Sequence, residues 1–106
     1  TREFLFVADC AEAIVKAIET CDENEPVNIG SGREIAIGDL ARLVADLTGF
    51  RGEIRWDTTM PDGQPRRCVD TSRAWRLFGW KARTSLEEGL RKTVDWYERE
   101  LENAGR

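Results

Sequence analysis

Residues 4–18 read Phe4-Leu5-Phe6-Val7-Ala8-Asp9-Cys10-Ala11-Glu12-Ala13-Ile14-Val15-Lys16-Ala17-Ile18. Four apolar, β-prone residues open this stretch and stop before Asp9, which predicts a short strand at 4–7. Asp9 and Glu12 have the spacing of a capping box, and the apolar residues after them recur every three to four positions. The stretch therefore predicts a strand that leads into an amphipathic helix ending near Cys21.

The apolar patterns further along the chain predict three more helices. The second lies around residues 40–47 and is closed by Gly49 in a C-cap role. Its start is poorly capped, because Ala36 stands where a Ser or Thr would be expected. The third is a short helix that begins after Asp70 or Thr71, both of which are favourable N-cap residues.

The last helix opens on a capping box of Ser85 and Glu88 and continues to about Leu101. Two further short strands are predicted at 27–29 and 53–56, where apolar residues are bounded by turn signals or alternate with polar ones. The sequence therefore predicts a single small α+β domain with four helices and three short strands. It shows no internal repeat and no linker.

Composition excludes several classes of function. The 106 residues carry a net charge of −4, which argues against a nucleic-acid surface. No apolar run approaches the roughly 20 residues that cross a bilayer, and no signal peptide is visible, so we expect a cytoplasmic protein. The three cysteines lack metal-ligand spacing and there is no histidine, which argues against a zinc site and against Ser-His or Cys-His catalysis.

Two further patterns resemble cofactor or catalytic motifs but are incomplete. The turn Gly30-Ser31-Gly32 suggests a dinucleotide-binding loop, yet Ile35 occupies the position of the third glycine. Tyr97 is followed four residues later by Leu101 rather than lysine. We therefore assign no catalytic, cofactor-binding or metal-binding residue to this sequence.

Three arginines offer the best candidate site. Arg66 and Arg67 are adjacent on a loop whose path is shaped by proline and glycine, and Arg2 heads the strand-like N-terminal run. A single surface arginine is usually only solvated, but three together could clamp a diphosphate. Each charge-assisted contact would contribute about 1.5–3 kcal/mol. The spacing alone leaves both interpretations open.

Several motifs, taken in order along the chain, resemble those of the extended short-chain dehydrogenase/reductases, the NAD(P)-dependent nucleotide-sugar epimerases and dehydratases. Residues 2–13 are similar to the pattern R-[DE]-[FY]-[LIV]-x-V-x-D-x-A-x-A, and residues 28–32 to the N-[ILV]-G-[ST]-G turn. Residues 77–80 and 86–97 resemble the late L-G-[WF] element and the closing helix of the family. The Pro-Asp-Gly-x-Pro-Arg loop at 61–66 is most similar to the GDP-fucose synthase branch.

The resemblance implies a substrate-binding domain of the C-terminal type over residues 1–106. In that family the arginine matched by Arg2 contacts the substrate diphosphate. A basic residue usually precedes the Pro-Asp-Gly loop, but Met60 stands there, so the second diphosphate contact is in doubt. Arg66 and Arg67 remain open as substitutes. Asp62 and Gly63 belong to the same loop, residues 60–67, which would cover the nucleotide or the sugar.

The resemblance also implies that catalysis belongs to an N-terminal Rossmann domain that this chain lacks, with NAD(P) bound there and none bound here. The absence of an initiating Met fits a piece of a larger protein. We therefore expect a recognition domain for nucleotide-diphosphate sugars that is not catalytic by itself. The alternative is a stand-alone binding or assembly module, such as a homo-oligomer, derived from such an enzyme. Which sugar, which reaction and which of NAD or NADP the parent uses stay open.

Overall fold

The computed structural model describes residues 1–22 and 24–105, and within them it confirms an α+β fold with four helices. The helices are α1 (Val7–Thr20), α2 (Ile37–Thr48), α3 (Ser72–Phe78) and α4 (Leu86–Ala104). Strands β1 (Arg2–Glu3) and β2 (Glu34–Ile35) form a two-stranded antiparallel sheet in which Arg2 lies opposite Ile35. Helix α1 packs on α3, and α2 packs on α4.

The three predicted strands are wrong in position. Residues 4–6 form no strand pairing, and the apolar run continues into α1, which begins at Val7. Residues 27–29 and 53–56 are likewise not in strands. A strand requires a hydrogen-bonding partner, and the pairing in this chain reaches only two residues on each side. The apolar residues at these places therefore pack or remain exposed without forming a sheet.

Asp9 does not cap α1 as predicted. The helix begins three residues earlier, and its N-cap residue Phe6 makes no side-chain cap bond. The Asp9 carboxylate is only 7% exposed and accepts hydrogen bonds from Thr84 N at 3.0 Å and Thr84 Oγ1 at 3.1 Å. A buried carboxylate needs such donors, so this contact between distant segments replaces the local cap.

The predicted helix ends are otherwise well supported. Gly49 and Gly79 close α2 and α3 in the left-handed conformation, with φ of 72° and 63°. Ser85 Oγ accepts a hydrogen bond from Glu88 N at 3.1 Å, which confirms the N-terminal cap of α4. Local chemistry therefore fixes where these helices begin and end.

The core is small and lies where α1 meets α3 and the segment after it. Its buried hydrophobic members are Ala13, Ala74, Phe78, Trp80 and Ala82. Ala13 and Ala74 are both fully buried, and their small side chains let the two helices approach closely. Trp80 is 1% exposed and is the largest side chain buried to that extent among the described residues.

The chain is more open than a self-contained domain of its length. Its radius of gyration is 16.9 Å, whereas a compact chain of 100 residues has about 13 Å. Its accessible surface is 8350 Å², against about 6000 Å² for a folded monomer of this mass. Large apolar side chains remain exposed, among them Ile14, Val15, Ile18, Trp96 and Leu101. Part of this surface is therefore suited to contact with another protein surface.

The length and apolarity of the helices determine whether any of them could cross a membrane. Within residues 1–22 and 24–105, none of them is both long enough and apolar enough to cross a bilayer.

Candidate anion-binding site

Arg2 is held against the loop that carries the other two candidate arginines. Its Nη1 donates to the carbonyl oxygen of Thr1 at 2.7 Å and to that of Gln64 at 2.8 Å. A guanidinium carries five N–H groups, so these two bonds leave those of Nε and Nη2 for another acceptor. Gly63 has a φ of +73°, and a Cβ there would lie 3.8 Å from Arg2 Nη2. The loop thus fixes the guanidinium without neutralising it.

The loop is docked on the N-terminal strand by backbone hydrogen bonds. The Thr1 nitrogen donates to Pro65 O at 2.6 Å, and Arg67 N donates to Thr1 O at 3.1 Å. These two bonds flank Arg66 in the pattern of a parallel bridge. Residues 65–67 therefore run alongside the residue that precedes β1, which brings the arginine pair close to Arg2.

Arg66 is occupied by an ion pair. Its Nε donates to Glu34 Oε1 at 2.7 Å, and Thr1 Oγ1 donates to the same oxygen at 2.7 Å. The hydrogen bond from Arg66, followed by the one from Thr1, lowers the pKa of Glu34 to about 2. Arg66 and Glu34 therefore largely balance each other's charge, and Arg66 is poorly placed to act as a free cation.

This network predicts a pH response that can be measured at one carboxyl group. We expect Glu34 to titrate near pH 2 in the folded chain and to move toward its ordinary pKa of 4.5 in Arg66→Gln. Because the pKa is lower in the folded chain than in the unfolded one, the stabilisation is fully present above about pH 4.5 and is lost as the pH falls toward 2. An NMR titration of the side-chain carboxyl carbon checks this, and an unchanged pKa in the variant would contradict it.

Glu3 is a structural residue that the sequence analysis did not single out. Its Oε2 accepts from Gly32 N at 2.8 Å and its Oε1 from Val69 N at 2.9 Å, which ties β1 to two separate segments. A Cβ on Gly30 would lie 2.7 Å from Val69 Cγ2 and 2.8 Å from Glu3 Oε2, so a larger residue there would displace these two side chains. The glycines of the turn at 30–32 were the available signal of this close approach.

The remaining candidate residues are exposed. Met60 is 64% exposed, and Asp62, Gly63 and Arg67 are also exposed. Among residues 1–22 and 24–105, the side chains of Asp62 and Arg67 have no hydrogen-bond or ion-pair partner in the chain. The structure therefore brings Arg2 next to Gly63 and does not show Met60 or Asp62 contacting it.

A further concave region of the described residues is of a different chemical kind. It is a groove of about 640 Å³ between the segment 4–7 and α4, with side chains such as Phe4, Leu86 and Trp96 in its walls. Among the described residues that line it, Lys92 alone is charged. This apolar groove suits a protein surface better than it suits a diphosphate.

Sequence comparison places the chain among nucleotide-sugar enzymes. No family model matches it. It is 48% identical over 96 residues to "GDP-L-fucose synthase 1" of Arabidopsis thaliana, a match that covers 91% of this chain and 29% of the relative. It is 37% identical to the "GDP-L-fucose synthase" of Escherichia coli K12, over 99% of this chain and 34% of the relative. The chain thus spans about a third of the length of these curated relatives.

Solved structures give the same result for the fold. The enzyme WbmF of Bordetella bronchiseptica in complex with NAD+ and UDP matches with a TM-score of 0.82 and 33% identity, over 94% of this chain and 30% of its own. A UDP-glucose 4-epimerase of Thermotoga maritima with UDP-glucose matches with a TM-score of 0.83 and 32% identity, over 93% of this chain and 32% of its own. In sequence and in fold, the chain is therefore similar to about a third of an extended short-chain dehydrogenase/reductase, and in sequence it is similar to GDP-fucose synthases.

Proposed function

We propose that residues 1–106 form the substrate-recognition domain of an NAD(P)-dependent nucleotide-sugar epimerase, dehydratase or epimerase-reductase. In this proposal Arg2 binds the diphosphate, and the loop 60–67, with Met60, Asp62 and Gly63, covers the nucleotide or the sugar. The observation that carries the proposal is the Arg2 guanidinium, held by two carbonyl oxygens while Nε and Nη2 remain available.

The geometry supports anion binding for a physical reason. Carbonyl oxygens orient a guanidinium without cancelling its charge, so little side-chain freedom is lost when a ligand arrives. Phosphate oxygens can then accept from the remaining N–H groups in charge-assisted hydrogen bonds. The Arg2 guanidinium is thus oriented to bind an anion, whereas the guanidinium of Arg66 is already paired with Glu34.

The relatives support the class of ligand. The matching solved structures include WbmF with UDP and an epimerase with UDP-glucose, and the matching sequences include GDP-L-fucose synthases. Each of these proteins is named for, or is in complex with, a nucleoside diphosphate or one of its sugar derivatives. A nucleoside diphosphate carrying a sugar is therefore the substrate class that we propose for this chain.

The glycine turn at 30–32 does not suit a dinucleotide cofactor. The glycine turn at 30–32 would have to offer its backbone N–H groups to a pyrophosphate, but the Glu3 carboxylate already accepts from Gly32 N at 2.8 Å. A second negative group would be repelled there. We therefore place NAD(P) on a Rossmann domain outside this chain, and the contribution of the present residues is to position the substrate.

Calorimetric titration of the chain with GDP and GMP tests the proposal. We expect GDP to bind more tightly than GMP, because the second phosphate adds acceptors for the Arg2 guanidinium. GDP-sugars should bind at least as well as GDP. Equal affinity for GDP and GMP, or no binding of either, would overturn the assignment of this site to a diphosphate.

A second candidate function is assembly, which the exposed apolar surface favours. Ile18 is 79% exposed and Trp96 is 55% exposed. The accessible surface of the chain is also larger than that expected of a folded monomer of the same mass. A homo-oligomer would cover part of this area. Size-exclusion chromatography with light scattering distinguishes the two cases, since a monomer at every concentration would count against assembly.

A further inference from the structure

Glu3 joins three separate parts of the chain. From β1, its Oε2 accepts a hydrogen bond from Gly32 N at 2.8 Å, and its Oε1 accepts one from Val69 N at 2.9 Å. Both donors are backbone N–H groups of residues that are distant in sequence, and neither residue lies in a helix or a strand. The Glu3 carboxylate thus supplies the acceptors that a regular sheet would otherwise provide.

Glu3 and Arg2 are neighbours in β1, and both bind the segment that carries the loop. Successive side chains of a strand point to opposite faces, so the two residues reach this segment from different sides. Arg2 Nη1 donates to Gln64 O at 2.8 Å, whereas Glu3 accepts from Val69 N, five residues further along the chain. The backbone hydrogen bonds of Thr1 lie between these two contacts. The segment is therefore attached to the N-terminal strand at both of its ends.

The space around the Glu3 carboxylate is tightly restricted at Gly30, which is buried. A Cβ at this position would lie 2.8 and 2.9 Å from the two carboxylate oxygens, distances that are too short for a real contact. Alanine at position 30 would therefore push the carboxylate away from the N–H groups that donate to it. This gives a second way to disturb the same contact without changing Glu3 itself.

We propose that Glu3 is the positioning residue of the diphosphate site. Its carboxylate holds Val69 against β1, and this attachment keeps the Gln64 carbonyl where it orients the Arg2 guanidinium. Glu3 acts through Arg2 and does not contact the ligand. The inference rests on the proposed function, since it assigns what orients the residue that binds the diphosphate. An oriented guanidinium loses less freedom on binding, so the affinity depends on the fraction of molecules in which the segment is attached.

Glu3→Gln tests the proposal with a nearly unchanged side-chain shape. The glutamine oxygen can accept from one of the two N–H groups, but its NH2 group would face the other, so one hydrogen bond is lost. We expect the NMR signals of the Arg2 Nε–H and of the Gln64 amide to shift in the chain without ligand. With GDP as the calorimetric probe, the affinity should fall about three- to tenfold. Gly30→Ala should produce the same two changes.

Cys68 reports whether the carboxylate lies where the structure places it. Its Sγ is 3.7 Å from Glu3 Oε2. Burial, followed by the charge of Glu3, raises the pKa of the Cys68 thiol. Glu3→Gln should therefore lower this pKa, which the pH dependence of Cys68 alkylation measures by mass spectrometry of its peptide.

Asp9→Asn is the matched control for a purely structural role. Asp9 also accepts hydrogen bonds from a residue that is distant in sequence, namely from the N and Oγ1 of Thr84. Its replacement should lower the stability of the fold and leave both the Arg2 Nε–H signal and the GDP affinity unchanged. A merely structural role of Glu3 predicts this same result for Glu3→Gln.

The outcomes separate this inference from the function on which it rests. Unchanged Arg2 and Gln64 signals in Glu3→Gln, with the native circular dichroism spectrum, would overturn the positioning role whether or not GDP binds. A wild-type GDP affinity in Glu3→Gln, while Arg2→Gln binds more weakly, would also overturn it and leave the diphosphate site standing. If the wild-type chain does not bind GDP, the proposed function is wrong, and the NMR signals alone decide whether Glu3 orients Arg2.

Discussion

Replacement of Trp80 by alanine is expected to lower the free energy of unfolding by about 3–5 kcal/mol, the usual cost of removing a large buried aromatic side chain. Trp80 is 1% exposed and belongs to a core whose other buried hydrophobic members are three alanines and Phe78. The three alanines are too small to fill the cavity that the ring would leave. Domains of this size are stable by only about 5–15 kcal/mol, so the variant should unfold at a clearly lower denaturant concentration than the wild type. Urea denaturation followed by far-UV circular dichroism measures the loss.

Two control variants make the Trp80 prediction specific. Within the described residues, Trp80 Nε1 has no hydrogen-bond partner, so Trp80→Phe removes ring area without breaking a bond and should cost about 1–2 kcal/mol. Trp96 is 55% exposed, and Trp96→Ala should change the stability by about 0.5 kcal/mol or less. A loss in Trp80→Ala no larger than that in Trp96→Ala would contradict the assignment of Trp80 to the core.

Replacement of Arg2 by glutamine is expected to weaken GDP binding about 10- to 100-fold, which corresponds to about 1.5–3 kcal/mol for charge-assisted contacts. Glutamine can still donate to one of the two carbonyl oxygens that hold Arg2, but it offers no charge to the ligand. Calorimetry with GDP measures the change in affinity. The loss should be smaller for GMP than for GDP, because the contact is made to the diphosphate.

Arg51→Gln is the matched control for Arg2. It removes the same charge from an exposed position after α2, in a segment that contributes nothing to the proposed site. Its effect on GDP binding should be limited to a small change in the overall field of the protein, which added salt would screen. If Arg2→Gln and Arg51→Gln bind GDP equally well, Arg2 does not contact the ligand.

Helix positions could be predicted from the sequence because their signals are local. Gly49, Gly79 and Ser85 each act within one helical turn, and the structure finds each of them at a helix end. The strands could not be predicted in the same way. A strand of two residues has no periodicity, and the apolar run at 4–7 gives the same signal whether it pairs with a strand or packs against α4.

The candidate site was only partly predictable for a related reason. Arg2 was identified through the motif around it, but the ion pair that occupies Arg66 depends on Glu34, more than thirty residues away in sequence. The hydrogen bonds that Asp9 accepts from Thr84 and Glu3 accepts from Val69 join residues even farther apart, 75 and 66 positions in sequence. Spacing along the chain carries no information on such pairs, so it predicts a cap role for Asp9 and no role for Glu3.

The most direct test of the diphosphate site is a two-dimensional NMR titration of the labelled chain with GDP, read residue by residue. We predict saturable shifts of the backbone amides of Gly63, Gln64 and Arg67 and of the Arg2 Nε–H, with little change along the apolar groove at 86–96. Absence of shifts at these residues, or saturable shifts confined to the groove, would contradict the conclusion that this domain recognises nucleotide sugars through Arg2 and the loop docked against it.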